Sequence, residues 1–178
     1  MNYCTDTDFH YEFLELLAKR LRPQLYVELG VAAAKCIERV APYCHRAIGV
    51  DVQAPNAIRG YEFFHGSTVD FFKEFASVLE PVELAFIDAD HRHAASLQDF
   101  ESLLPHVAND GLILLHDTYP ENARWLADDH CSDSYRTAEA IYCRSVEYGV
   151  EVATLPAPPG LTIVRKRRSP MVWLSGVA

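Results

Sequence analysis

The residues best equipped for chemistry stand at the ends of short apolar runs. Leu84–Ile87 is apolar and stops on Asp88, with Asp90, His91 and His93 close behind. Leu112–Leu115 likewise stops on His116 and Asp117. Glu28 lies within Leu25–Leu29, and Asp51 follows Ala47–Val50. Carboxylates and imidazoles grouped in this way can bind a cation, accept bonds from hydroxyls or move a proton at neutral pH. Each also has a plain explanation, because Asp commonly caps the helix that follows a strand. Asp90 before a helix from His93 is the clearest such case. Recurrence at several strand ends is what capping alone does not explain.

The elements that must position these groups follow from periodicity. Short apolar runs with polar borders read as strands buried on both faces. In an open parallel sheet a ligand binds outside the carboxyl ends of the strands, which is where these residues fall. Phe9, Phe13, Leu16 and Leu17 predict a first helix, ending near Arg22-Pro23. Strands are predicted at Leu25–Leu29, Ala47–Val50, Tyr61–Phe64, Leu84–Asp88 and Leu112–Leu115. Between them, helices are predicted over Ala32–Val40, from Ser67 with Asp70 as a capping box, and along Leu97, Phe100, Leu104 and Val107. Asn109-Asp110-Gly111 reads as a turn. Thr118–Asp133 reads as a loop with a short helical piece, lying over the sheet rim as a lid or binding loop. A helix ending at Gly149 and two strands, Val150–Leu155 and Leu161–Val164, close the pattern. Their short Pro-rich link forces them antiparallel. The expected fold is α/β and Rossmann-like: a doubly wound, mostly parallel seven-stranded sheet with a C-terminal antiparallel hairpin, in one domain spanning 1–178.

Composition narrows the partners. A net charge of −9 argues against nucleic acid, which needs a basic face. No apolar run long enough to span a bilayer is present, so no membrane role is expected. Five scattered cysteines without a CxxC pair read as reduced thiols in a cytoplasmic protein. The apolar ending SPMVWLSGVA has two placements, against the domain or against a second subunit, so a homodimer is one expectation. His10, His45 and His106 are expected to be packing or surface residues, since no motif or strand end places them on the rim.

Charge also separates cofactors. Asp51 lies 21 residues after Gly30, near the interval at which a carboxylate takes ribose hydroxyls in nucleotide-binding folds. NAD carries a pyrophosphate that wants several glycines and free backbone N–H groups. Here the loop is Gly30-Val-Ala-Ala-Ala-Lys35, with one glycine, and the surrounding carboxylates repel phosphate. S-adenosylmethionine carries an ammonium and a sulfonium, which an acidic rim suits.

Val27-Glu-Leu-Gly-Val31, Ile48-Gly-Val-Asp51, Phe86-Ile-Asp-Ala-Asp-His91 and Gly111-Leu-Ile-Leu-Leu-His-Asp-Thr118 resemble the class I S-adenosylmethionine-dependent methyltransferases. The nearest branch is the small-molecule O-methyltransferases, including cephalosporin-hydroxylase-like and catechol-type relatives. The resemblance implies cofactor contacts from Glu28, Gly30, Asp51, Gly66, Ser67, Thr68, Asp88 and Asp90. It implies Asp88 and Asp117 facing the methyl group and acceptor, and binding a divalent metal such as Mg²⁺. Ala32 and Ala34 stand where the family has glycines, and Asp117-Thr118 where its metal enzymes have Asp-Asn. His91 and His116 are the candidates to take the acceptor's proton, so the expected catalytic set is Asp88, His91, His116 and Asp117. The expected reaction is methylation of a hydroxyl on a small-molecule acceptor. Two other readings are an NAD(P)-linked oxidoreductase and a non-catalytic protein that keeps the fold.

Overall fold

The computed structural model describes residues 9–77, 79–127 and 130–168. Cys4 and the apolar ending at 169–178 lie outside them. Chain order is α1 (Phe9–Leu21), β1 (Leu25–Leu29), α2 (Lys35–Val40), β2 (Arg46–Asp51), β3 (Glu62–His65), α3 (Thr68–Phe75), β4 (Val82–Ile87), α4 (His93–Leu103), β5 (Val107–His116), α5 (Tyr135–Cys143), α6 (Ser145–Tyr148), β6 (Val150–Leu155) and β7 (Leu161–Lys166). One seven-stranded sheet has the order β3-β2-β1-β4-β5-β7-β6. Strands β1 to β5 are mutually parallel, and β7 runs antiparallel to both β5 and β6. This is the doubly wound architecture the sequence predicts.

Strand pleat divides the core into two layers. Leu25, Val27 and Leu29 face one apolar cluster with Phe71, Phe100 and Ile141, from α3, α4 and α5. Tyr26, Leu84, Phe86 and Leu114 face the other, with Leu14 and Ala18 of α1 and Ile37 of α2. The same alternation decides which polar end residues meet. Asp88 continues the Leu84, Phe86 row, and His116 ends the Leu112, Leu114 row, so both lean toward the α1 layer.

Three local expectations change. Asn109-Asp110-Gly111 is not a turn but lies inside β5, where Asp110 takes φ 65° and the pairing with β4 shifts between Val82 and Leu84. A bulge and a tight turn share the same left-handed residue chemistry, and only the neighbouring strand tells them apart. Val107 is the first residue of that strand, not the last of a helical face. The second helix begins at Lys35, because Ala32 and Ala34 adopt φ 45° and 62° and cannot continue one. Ser67 caps α3 as predicted, its Oγ accepting from the Asp70 N–H. No helix among the described residues is long and apolar enough to cross a membrane.

Candidate active site

A crevice of about 940 Å³ opens at the carboxyl ends of β1, β2, β4 and β5. That size lies within the range of small-molecule sites. The close approach of β1 to β4 forms its floor. Gly30 N–H donates to Val50 O, and Asp88 N–H donates to Leu29 O. Gly30 has φ 89°, and a Cβ there would sit 2.3 Å from the Asp88 carbonyl oxygen. Only glycine fits that position.

Of the expected cofactor residues, Gly30, Asp51, Gly66, Ser67, Thr68, Asp88 and Asp90 line this crevice. Asp51 anchors its wall, with Oδ2 accepting from Val31 and Ala32 N–H at 2.8 Å each and Oδ1 from Gln53 N–H. Oδ1 thus keeps one acceptor site beyond these three bonds. Asp90 pairs with the Arg92 guanidinium and accepts from the Arg92 N–H. Asp90 therefore does not cap α4. That task falls to Asp133, whose Oδ1 accepts from His93 N–H at 2.6 Å.

Glu28 is the exception: it does not line the crevice. Its pleat parity turns it inward, where it is 1% exposed and its carboxyl accepts from Tyr26 Oη at 2.5 Å. Desolvation pushes Glu28 up to about 8, so it carries a proton at neutral pH.

Asp88, His91, His116 and Asp117 converge at one end of the crevice. His116 Nδ1 donates to Asp88 Oδ1 at 3.0 Å and lies 3.5 Å from Asp117 Oδ1. His91 Nδ1 lies 3.0 Å from Asp117 Oδ2, and its Nε2 lies 3.5 Å from Asp88 Oδ1. His91 also bonds the His130 carbonyl. Desolvation alone would raise Asp88, but His116 and His91 hold it well below the usual carboxylate range. In return the Asp88 hydrogen bond, aided by the Asp117 charge, lifts His91 to about 9 against burial. Burial opposes charge on His116 too, yet Asp88 and Asp117 lift it to about 10. The Asp88 carboxylate and the two imidazoles thus favour each other's charged forms.

The segment before α5 lies against this knot. Cys131 is fully buried, and its Sγ donates to Asp117 Oδ1 at 3.4 Å. Ser134 Oγ donates to the Asp117 carbonyl. Ser132 reaches the crevice wall. Thr118 points away, its hydroxyl accepting from Thr162 Oγ1 at 2.8 Å, which removes it as a ligand in the crevice.

Two residues enter that sequence reasoning passed over. His10, expected to be a bland packing residue, is 5% exposed, and its ring centroid lies 3.9 Å from that of His116. Asp99 lines the crevice at 4% exposure, and desolvation raises it to about 6 against a bond from Thr68. Both had a readable signal. His10, Leu14 and Ala18 form the buried stripe of α1, and Ser96, Asp99, Phe100 and Leu103 that of α4. A titratable residue on a buried stripe is a candidate for a site.

The sequence matches the family described as Methyltransferase domain over residues 3–118. No curated protein sequence matches the chain. Among solved structures, it is similar to an O-methyltransferase from Bacillus cereus in complex with SAH, at TM-score 0.73 and 16% identity, covering 94% of this chain and 84% of that one. A cofactor-bound protein from MTB, Rv0187, matches at TM-score 0.69 and 17% identity, over 95% and 84% of the two chains. The MycE methyltransferase of the mycinamycin biosynthetic pathway, in complex with Mg and SAH, matches at 0.65 and 15%, over 95% of this chain and 51% of its own.

Proposed function

The chain belongs to the methyltransferase-domain family, and from that premise we propose that it transfers the methyl group of S-adenosylmethionine to a hydroxyl of a small molecule. The observation that carries this reading is the convergence of Asp88, His91, His116 and Asp117 at one end of an acidic crevice. S-adenosylmethionine supplies an already activated methyl group. The protein therefore has two tasks, alignment of the acceptor and management of its proton.

Cofactor chemistry suits the walls. Asp51 accepts a ribose hydroxyl at the Oδ1 site its loop bonds leave free. Gly66, Ser67, Thr68 and Asp99 bound the adenine side. Gly30 keeps the strand ends close, and Asp88 and Asp90 face the cationic portion. Glu28 acts from the layer below, as a neutral hydrogen-bonded carboxyl. An NAD(P) site is disfavoured by the same acidic lining and by the family match.

The donor set also suits a divalent cation. One ligand atom each from Asp88, His91 and Asp117 lies within 4.8 Å of the others. Such an ion would be held through Asp88 and Asp117 and would supply Lewis acidity to an acceptor hydroxyl. His91 is protonated beside its carboxylates, so it accepts the acceptor's proton only once positive charge replaces its own. MycE, a methyltransferase of similar fold, is in complex with Mg and SAH. The reading includes a cytoplasmic setting, supported by free thiols at Cys36, Cys44, Cys131 and Cys143. It also includes a homodimer, for which exposed Leu16 and Leu21 of α1 and Val146 of α6 offer apolar surface.

A screen of hydroxylated acceptors with labelled S-adenosylmethionine, with and without chelator, tests the reaction. Transfer that is lost with chelator, restored by a divalent ion, and reduced about 10²-fold or more in His91→Ala agrees with it. Cofactor binding without transfer to any acceptor rejects the enzymatic reading. Transfer that survives chelation rejects the metal.

A further inference from the structure

Asp88 stands between two groups of possible ligands. On the crevice side are His91 and Asp117. On the α1 side are His10 and His116, whose ligand atoms also lie within 4.8 Å of one another and of Asp88. This second group follows from the fold. Pleat parity turns Asp88 and His116 toward the α1 layer, and the α1 stripe of His10, Leu14 and Ala18 delivers His10 onto them. Phe86 packs against both rings, at 5.8 Å from His10 and 6.1 Å from His116. A slot lined by Phe9, Pro158, Pro159 and Leu161 borders the pair.

His116 Nε2 is buried and has no hydrogen-bond partner among the described residues. Buried polar atoms are nearly always satisfied, so an exception beside other ligand atoms marks a place for a water or an ion. A ligand set of two imidazoles and one carboxylate is not what Mg²⁺ selects, since that ion prefers oxygen and keeps its waters. It suits manganese, iron, cobalt, nickel or zinc. Metal–nitrogen bonds near 2.0–2.1 Å put ligand atoms roughly 3.3 Å apart, so rotation of the side chains by about an ångström closes the set.

We propose that the ion anchored by Asp88 takes imidazole ligands from His10 and His116 and is a divalent transition metal rather than Mg²⁺. The ion's use in methyl transfer rests on the function proposed above, but its binding does not. The α1 helix becomes part of the metal site, which ties the first described element to the sheet rim.

Co²⁺ alone serves as the probe, because its visible absorption reports nitrogen ligation directly. Metal-free full-length protein is titrated with Co²⁺ and, separately, with Mg²⁺, by calorimetry and absorption. The expected result is one Co²⁺ per chain, bound at least about 100-fold more tightly than Mg²⁺, with imidazole-type visible bands. His10→Ala should weaken Co²⁺ by about tenfold or more and alter the bands, while leaving Mg²⁺ affinity within about twofold. His10→Gln, read beside thermal melting, covers the case in which the alanine variant does not fold. Equal affinity for the two ions overturns the proposal. So does an unchanged Co²⁺ spectrum in a folded His10 variant, or loss of Co²⁺ binding in His91→Ala alone, which moves the ion to the other side of Asp88. Calorimetry with S-adenosylmethionine on the same samples separates the two failures. Co²⁺ binding without cofactor binding rejects the methyltransferase reading and keeps the metal site, and the converse does the reverse.

Discussion

Two sets of buried carboxyl groups behave in opposite ways. Asp88 and Asp117 sit against His91 and His116, and Asp88 stays ionised well below the usual range. Glu28 and Asp99 are at least as buried but have no cation beside them, and they rise to about 8 and about 6. Residue type does not decide the proton state; the neighbour does. At the rim the chain holds charge that a cationic ligand can use. One layer in, at Glu28, it removes charge from the floor beneath that ligand.

The largest expected effect comes from breaking the balance at the rim. Asp88→Asn removes the group that both histidines face and leaves their charge poorly compensated. Urea unfolding at pH 7 should show a loss of about 3 kcal/mol, the scale for breaking a buried pair. A change below about 1 kcal/mol would mean that the histidines are neutral in the folded protein and that the contrast is false.

Glu28 offers the complementary test. Its folded pKa lies above its unfolded value, so its contribution is complete below about pH 4.5 and fades as pH rises through about 8. Glu28→Gln keeps the Tyr26 bond but cannot ionise. The variant should therefore lose less stability than the parent between pH 5 and pH 8, by on the order of 2 kcal/mol. Parallel stability curves for parent and variant would show that Glu28 is charged after all.

How much of this was readable in the chain depends on the range of the signal. Asp88, Asp117 and Asp51 were legible because each ends an apolar run, and a strand end is a local event. Asp110 misled because its left-handed backbone serves a turn and a bulge equally well, and only β4 alongside decides. Asp133 capping α4 was out of reach, since it acts across 40 residues through a loop of no fixed period. His10 and Asp99 lay between these cases. Their helical stripes are periodic, yet no motif or strand end places either residue on the rim. Glu28 was found, but its direction needed the alternation of β1 to be followed through Tyr26.

Asp99 sharpens the comparison at the crevice wall. Its ionisation as pH rises through about 6 adds a negative charge beside a cationic ligand. Affinity for S-adenosylmethionine should rise several-fold between pH 5 and pH 7, by less than about 1.4 kcal/mol, and Asp99→Asn should flatten that rise. Calorimetry across this range checks it, and an equal rise in the variant assigns the effect elsewhere.

The smallest effect concerns the first loop. Ala32 and Ala34 hold the left-handed backbone that glycine adopts freely. Ala32→Gly should stabilise the protein by about 0.5 kcal/mol, the left-handed strain relieved less the extra freedom of the unfolded chain. Destabilisation on thermal melting would show that the alanine methyl group packs usefully.

The most direct test of the account is calorimetric titration of the purified protein with S-adenosylmethionine and with NAD. The acidic rim and the family predict binding of the methyl donor on the order of micromolar and none of NAD. They also predict that Asp51→Ala weakens the donor by about 1.5–3 kcal/mol, the scale of bonds to a charged group. Heat on adding NAD, with none on adding S-adenosylmethionine, contradicts the account.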